Sequence, residues 1–157
     1  MQGQKTYTVT EAKKRLERYC AYQDRCHKEV IAKLKEMRMI QDAIDLIVHD
    51  LITENYLNET RFAQSFARGK FRVKKWGKNR IVRELKLRNI SQYNITLALK
   101  EIEDSEYLTS FHELAEKRWV QLEGETSQQR KRKKLVDYLL YRGWESSLIW
   151  EKVAELS

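Results

Sequence analysis

The amino-acid sequence predicts an all-α protein built as three tandem three-helix repeats. Three observations carry that expectation. Its 157 residues include no Pro and only 5 Gly, so little interrupts helical periodicity, whereas β-rich domains need frequent turn residues. Apolar residues fall at helical spacing along most of the chain. The same apolar pattern then recurs at a period of 51 to 54 residues, which signals stacked helical modules.

The first copy of the pattern is Val30, Ile31, Leu34, Met39, Ile44, Val48 and Leu51. The second is Ile81, Val82, Leu85, Ile90, Ile95, Leu99 and Ile102, and the third is Leu135, Val136, Leu139, Trp144, Ile149, Val153 and Leu156. Within each copy, the first three members and the last three each share one helical face, and the middle member falls at the turn between two helices. The residue before that member should end the preceding helix in the left-handed region, where Gly is best and Asn tolerated. It is Gly143 in the third copy, Asn89 in the second and Arg38 in the first. Asp42 and Ser91 are candidate caps for the helices that follow.

A further helix precedes each pair. Thr8 and Glu11 fit a capping box, opening a helix with Ala12, Leu16, Tyr19 and Cys20 inward. Asn58 should cap a helix with Phe62, Ala63, Phe66 and Val73 inward, and the third copy uses Phe111, Leu114, Ala115 and Trp119. Trp119, Trp144 and Trp150 read as core, and Trp76, before Gly77 in a turn, as the exception. The repeats are expected over residues 8–55, 56–104 and 105–157.

Charge is unevenly placed. The net charge of +8 is a mean over residues 1–56 at +1, residues 57–100 at +10 and residues 101–157 at −3. Between Arg68 and Arg88 the only acid is Glu84. Helical spacing puts Arg61, Arg68, Arg72 and Lys75 on one stripe opposite Phe62 and Phe66, joined by Lys70, Lys74, Lys78, Arg80 and Arg83. Solvated faces usually mix signs, so a run this dense points to a polyanion-binding surface. A second cluster, Arg130, Lys131, Arg132, Lys133 and Lys134, stands at the start of a helix, where cations oppose the macrodipole.

Enzymatic classes find no support. The sequence has no phosphate-binding glycine loop, no nucleophile elbow and no metalloprotease motif. Cys20 and Cys26 match neither a redox pair nor a zinc half-site, and no cofactor or metal is expected. Acids Glu101, Glu103, Asp104 and Glu106 gather between the second and third repeats without the convergence a metal nuclease needs. The chain also lacks a membrane span and a secretory signal, which makes a cytoplasmic protein the expectation.

Asn58-Glu59-Thr60-Arg61-Phe62-Ala63, Phe66, the basic stretch, Trp76-Gly77-Lys78-Asn79-Arg80-Ile81, Glu84-Leu85 and Asn89-Ile90 together resemble the central motif of the RecX family of bacterial recombination regulators. Asn58 replaces the usual acid and Asn89 the usual Gly, each keeping its capping or left-handed role, and the outer repeats match less well. The resemblance implies a curved, elongated arrangement of the three repeats. It also implies binding to the RecA filament and to single- and double-stranded DNA, with restraint of recombinase and coprotease activity in DNA repair and the SOS response; a monomer is expected. The contact surface it implies here is Arg68 to Arg83 with Arg130 to Lys134. The alternative is a sequence-specific helix-turn-helix DNA binder reading bases from the helix after Ser91. That helix has only Lys100 against two acids, which disfavours it.

Overall fold

A computed structural model describes residues 5–157. Among these residues there are nine helices and no strand, in three successive trios. The first trio is α1 (Val9–Tyr22), α2 (His27–Glu36) and α3 (Gln41–Thr53). The second is α4 (Glu59–Arg72), α5 (Lys78–Leu87) and α6 (Gln92–Leu99). The third is α7 (Asp104–Gln121), α8 (Gln128–Tyr141) and α9 (Ser146–Leu156). Helix packing is strongest within each trio.

Local sequence signals explain where the helices start and stop. Thr8, Asn58 and Ser91 accept hydrogen bonds from the backbone N–H three residues on, satisfying a donor that the first helical turn leaves free. Ser127 does the same for α8. Arg38, Asn89 and Gly143 all take the left-handed conformation after α2, α5 and α8, with φ of 63°, 59° and 93°. The turn geometry is thus repeated even where Arg stands in place of Gly. Asp42 departs from expectation: α3 is capped by Ile40 without a side-chain bond, so Asp42 lies inside the first turn and complements its dipole.

None of the recurring apolar residues is exposed. They form two cores. One lies within the first trio around Leu16, Leu34, Ile47 and Leu51; the other runs through the second and third trios and includes Phe71, Phe111, Leu139 and Trp144. Two residues expected inside are outside. Val73 is 75% exposed because α4 ends at Arg72, and Phe71 takes the inward position instead. Trp150 is 60% exposed, on the outer face of α9.

The second and third trios are joined backbone to backbone. The N-terminus of α5 has no side-chain cap; Gly77 N–H donates to the Arg142 carbonyl at 2.8 Å and Asn79 N–H to the Gly143 carbonyl at 3.0 Å. Lys78 N–H donates to the Tyr107 hydroxyl at 2.8 Å, and that hydroxyl donates to Glu145. Donors that a helix usually satisfies locally are here satisfied by the next repeat. The first trio joins the second through Cys26, which is buried in the larger core, and through Lys28 Nζ donating to the Leu87 carbonyl at 2.9 Å.

Candidate nucleic-acid interface

The basic run of the second repeat divides into side chains held by partners and side chains left free. Arg61 belongs to the first group. Its guanidinium pairs with Asp24 at 2.7 Å and donates to the Asn55 and Tyr56 carbonyls, across the seam between the first two trios. Arg68 pairs with Glu101 at 2.5 Å and Arg72 with Glu106 at 3.4 Å. Lys78 lies 3.8 Å from Asp104 and over the Tyr107 ring. The basic stripe therefore has acids to pair with after all. Apart from Asp24, they are the acidic cluster at the end of α6 and start of α7, folded back along α4 and α5.

Lys75 also departs from the expected stripe. Helix α4 ends at Arg72, and Lys75 takes a φ of 59° in the turn that follows. Its carbonyl accepts the Trp144 indole N–H at 3.2 Å, and the Lys74 carbonyl accepts from Arg142 at 2.7 Å. The turn is thereby fixed against the third repeat while the Lys74 and Lys75 side chains remain exposed. Arg83, on α5, is exposed too.

Besides Lys78, Lys70 and Arg80 are ordered by rings. Lys70 Nζ lies 5.0 Å from the Trp76 ring, and the Arg80 guanidinium sits between Trp76, at 4.2 Å, and Tyr141, at 4.7 Å. Tyr141 is 72% exposed. Cation–ring contacts of this kind contribute about 0.5–1 kcal/mol at exposed sites and hold a long side chain in one place.

Helix α8 joins the two basic clusters. Lys131, Lys134, Tyr138, Tyr141 and Arg142 share one helical stripe. Along it Lys131 lies over Trp119 at 3.9 Å, Arg142 and Arg118 lie over Tyr138, and Arg80 reaches Tyr141. The result is a track of alternating cations and rings from the start of α8 to the turn at Trp76. Arg130 and Arg132 are exposed beside it, Lys133 pairs with Asp137 and Lys134 with Glu125, each at 2.7 Å. The Lys134 ammonium, with the Ser127 N–H, holds the Glu125 carboxyl below its ordinary range.

Arg118, Trp119, Tyr138, Tyr141 and Arg142 belong to this track of cations and rings, and charge counting misses them. Their signal was the spacing of Tyr138, Tyr141 and Arg142 on the same stripe as Lys131 and Lys134. Such surfaces bind single strands by combining cations that follow phosphates with rings on which bases stack.

Comparison with known proteins agrees with the fold. The family model described as RecX, second three-helix domain, matches residues 58–99, and that of the third three-helix domain matches residues 104–153. A Lactobacillus gasseri protein named regulatory protein RecX is 33% identical over 66% of this chain, which spans 44% of that protein's length. Proteins of the same name from Prosthecochloris aestuarii, 28% identical, and Chlorobium phaeobacteroides, 30% identical, are covered over 88% and 82% of their lengths, by 88% and 82% of this chain. The crystal structure of RecX from Lactobacillus salivarius superposes with a TM-score of 0.77 at 24% identity, over 94% of both chains. A second crystal structure, of regulatory protein RecX, gives 0.81 at 22% identity over 94% of this chain and 73% of that one.

Proposed function

The chain belongs to the RecX family of regulatory proteins, and from that premise we propose that it binds the RecA–DNA filament through its basic face and restrains recombinase and coprotease activity. The observation that supports this reading best is the continuous track of cations and rings over α8 and the turn at Trp76. A nucleoprotein filament offers phosphates and acidic protein surface, and each Lys or Arg that neutralises a phosphate releases counterions.

The contacts divide by availability. Lys74, Lys75, Arg83, Arg130 and Arg132 are exposed cations with no carboxylate partner among the described residues. Lys70, Arg80 and Lys131 are held by rings. Arg61, Arg68, Arg72, Lys78, Lys133 and Lys134 already have carboxylates, and they contribute only by exchanging an internal partner for a phosphate. The protein acts in this reading as a cytoplasmic monomer, with no catalysis and no cofactor. A base-reading helix-turn-helix mode has weaker support, because α6, Gln92–Leu99, carries no basic residue.

The test is to titrate the protein into RecA assembled on single-stranded DNA while following ATP hydrolysis and strand exchange. Inhibition well below one molecule per RecA indicates blocked filament growth, and inhibition near one to one indicates binding along the filament. No inhibition at any ratio would contradict the proposal.

A further inference from the structure

The first repeat is close to neutral in sum, yet its charge is sorted. All 10 Lys and Arg of residues 1–56 precede residue 41, while residues 41–56 hold 4 acids and no Lys or Arg. The fold turns that sorting into a groove. Helices α1 and α2 each pack on α3 rather than on each other, whereas α4 also packs on α5 and α7 on α8. The gap between α1 and α2 is an open groove of about 680 Å³.

Four cations line it, Arg15, Arg18, Arg25 and Lys33, of which Arg25 pairs with Glu29 at 3.8 Å and Lys33 with Glu36 at 3.9 Å. Arg15 and Arg18 are exposed and have no carboxylate partner among the described residues. Arg15 is placed by the Tyr7 ring at 4.9 Å, and Arg25 by the Tyr19 ring at 3.7 Å and by its bond to the Tyr19 carbonyl at 3.0 Å. Two tyrosines thus hold cations. A third, Tyr22 at the end of α1, is 84% exposed at the edge of the same groove, with no ring or cation stacked on it among the described residues. A pre-positioned set of guanidinium groups beside a vacant aromatic face suits a ligand with a phosphate and a stackable ring.

We propose that the groove between α1 and α2 binds a nucleotide unit, with its phosphate on Arg15, Arg18 and Arg25 and its base on Tyr22. The site lies in the first repeat, apart from the track over α8, and does not depend on the filament reading. The groove is open at its rim, so the unit can belong to a single strand or be a free nucleotide.

Binding of oligothymidylate and of ATP to the full chain tests this, with Tyr22→Ala and the pair Arg15→Glu with Arg18→Glu. Lys35→Glu, an exposed cation outside the groove, serves as the control, and circular dichroism checks folding. Tyr22→Ala is expected to weaken binding about tenfold. The double reversal is expected to weaken it further, with Lys35→Glu changing it least. Sensitivity seen only with oligothymidylate assigns the site to a strand, and sensitivity seen with ATP assigns it to a free nucleotide. If neither probe binds, or if Tyr22→Ala and the double reversal leave both affinities at the Lys35→Glu level, the groove proposal is overturned. Variants on α8 measured in parallel separate the two surfaces. Loss there without loss in the groove variants removes the groove alone, and the reverse removes the α8 track alone.

Discussion

Gly77 and Gly143 pack backbone against backbone at the junction of the second and third repeats. A Cβ on Gly77 would stand 2.6 Å from the Gly143 carbonyl carbon and from the Trp144 Cα, and closer still to the carbonyl oxygen. On Gly143, at φ 93°, a Cβ would run into the Arg80 backbone. Both glycines therefore permit the close approach by which one repeat satisfies the N–H donors of its neighbour. Gly77→Ala is expected to lower stability in urea unfolding by about 2–4 kcal/mol, since the clash is with backbone that cannot rotate away. A loss under about 0.5 kcal/mol would mean that the junction is looser than described.

Glu101 and Glu106 hold Arg68 and Arg72 in ion pairs, and in the proposed reading they compete with phosphate for them. Removing the two carboxylate charges with Glu101→Gln and Glu106→Gln should raise affinity for single-stranded DNA several-fold and steepen its salt dependence. Both ion pairs are partly exposed, so stability should change by no more than about 1 kcal/mol. Fluorescence anisotropy at several salt concentrations checks the sign. Weaker binding in the variant would show that these pairs organise the face rather than mask it.

Tyr141 is exposed and contributes one side of the Arg80 sandwich. Tyr141→Ala should cost about 1 kcal/mol or less in folding, yet weaken single-strand binding about tenfold if a base stacks there. Equal binding by wild type and variant, with the melting temperature unchanged, would remove Tyr141 from the interface.

Alkaline pH acts on the buried thiols. Burial pushes Cys20 and Cys26 up from 9.0 to about 11, because the fold disfavours the thiolate. With folded values above unfolded ones, their contribution to stability is complete below about pH 9 and is lost as pH rises toward about 11. Burial pushes the Tyr107 hydroxyl up too, and its hydrogen bond to Glu145 adds to the effect, so it acts in the same direction. Thermal unfolding between pH 8 and 11 should show a falling melting temperature, with a smaller fall in Cys20→Ala. A flat profile would contradict the burial of these groups.

Much of the fold was legible because it is written in local patterns. The caps at Thr8, Asn58 and Ser91 and the left-handed residues Arg38, Asn89 and Gly143 are each set by neighbours within a few positions. The recurring apolar residues follow a helical period. The interface was less legible because its electrostatics are long-range. Asp24 reaches Arg61, Glu101 reaches Arg68 and Glu106 reaches Arg72 only once segments distant in the chain, two of the three pairs in different trios, fold together. Counting charge along the chain therefore overstated how much positive charge is free. The end of α4 was misread for another reason. The helix stops at Arg72 with Lys75 in the left-handed region, where no Gly announces the break, and this carries Val73 and Lys75 off the expected faces. Trp150 reads as core on residue type, although its position on α9 faces solvent.

Salt dependence of binding to RecA filaments on single-stranded DNA tests the central claim most directly, with wild type compared against Lys74→Gln and Arg130→Gln. Both side chains are exposed cations without carboxylate partners, one in the turn before α5 and one at the start of α8. Each neutralisation should reduce the slope of log affinity against log salt by about 0.7 while leaving helicity unchanged. A salt-independent wild-type affinity, or a slope that neither substitution alters, would contradict the claim that these two repeats meet the filament through their basic face.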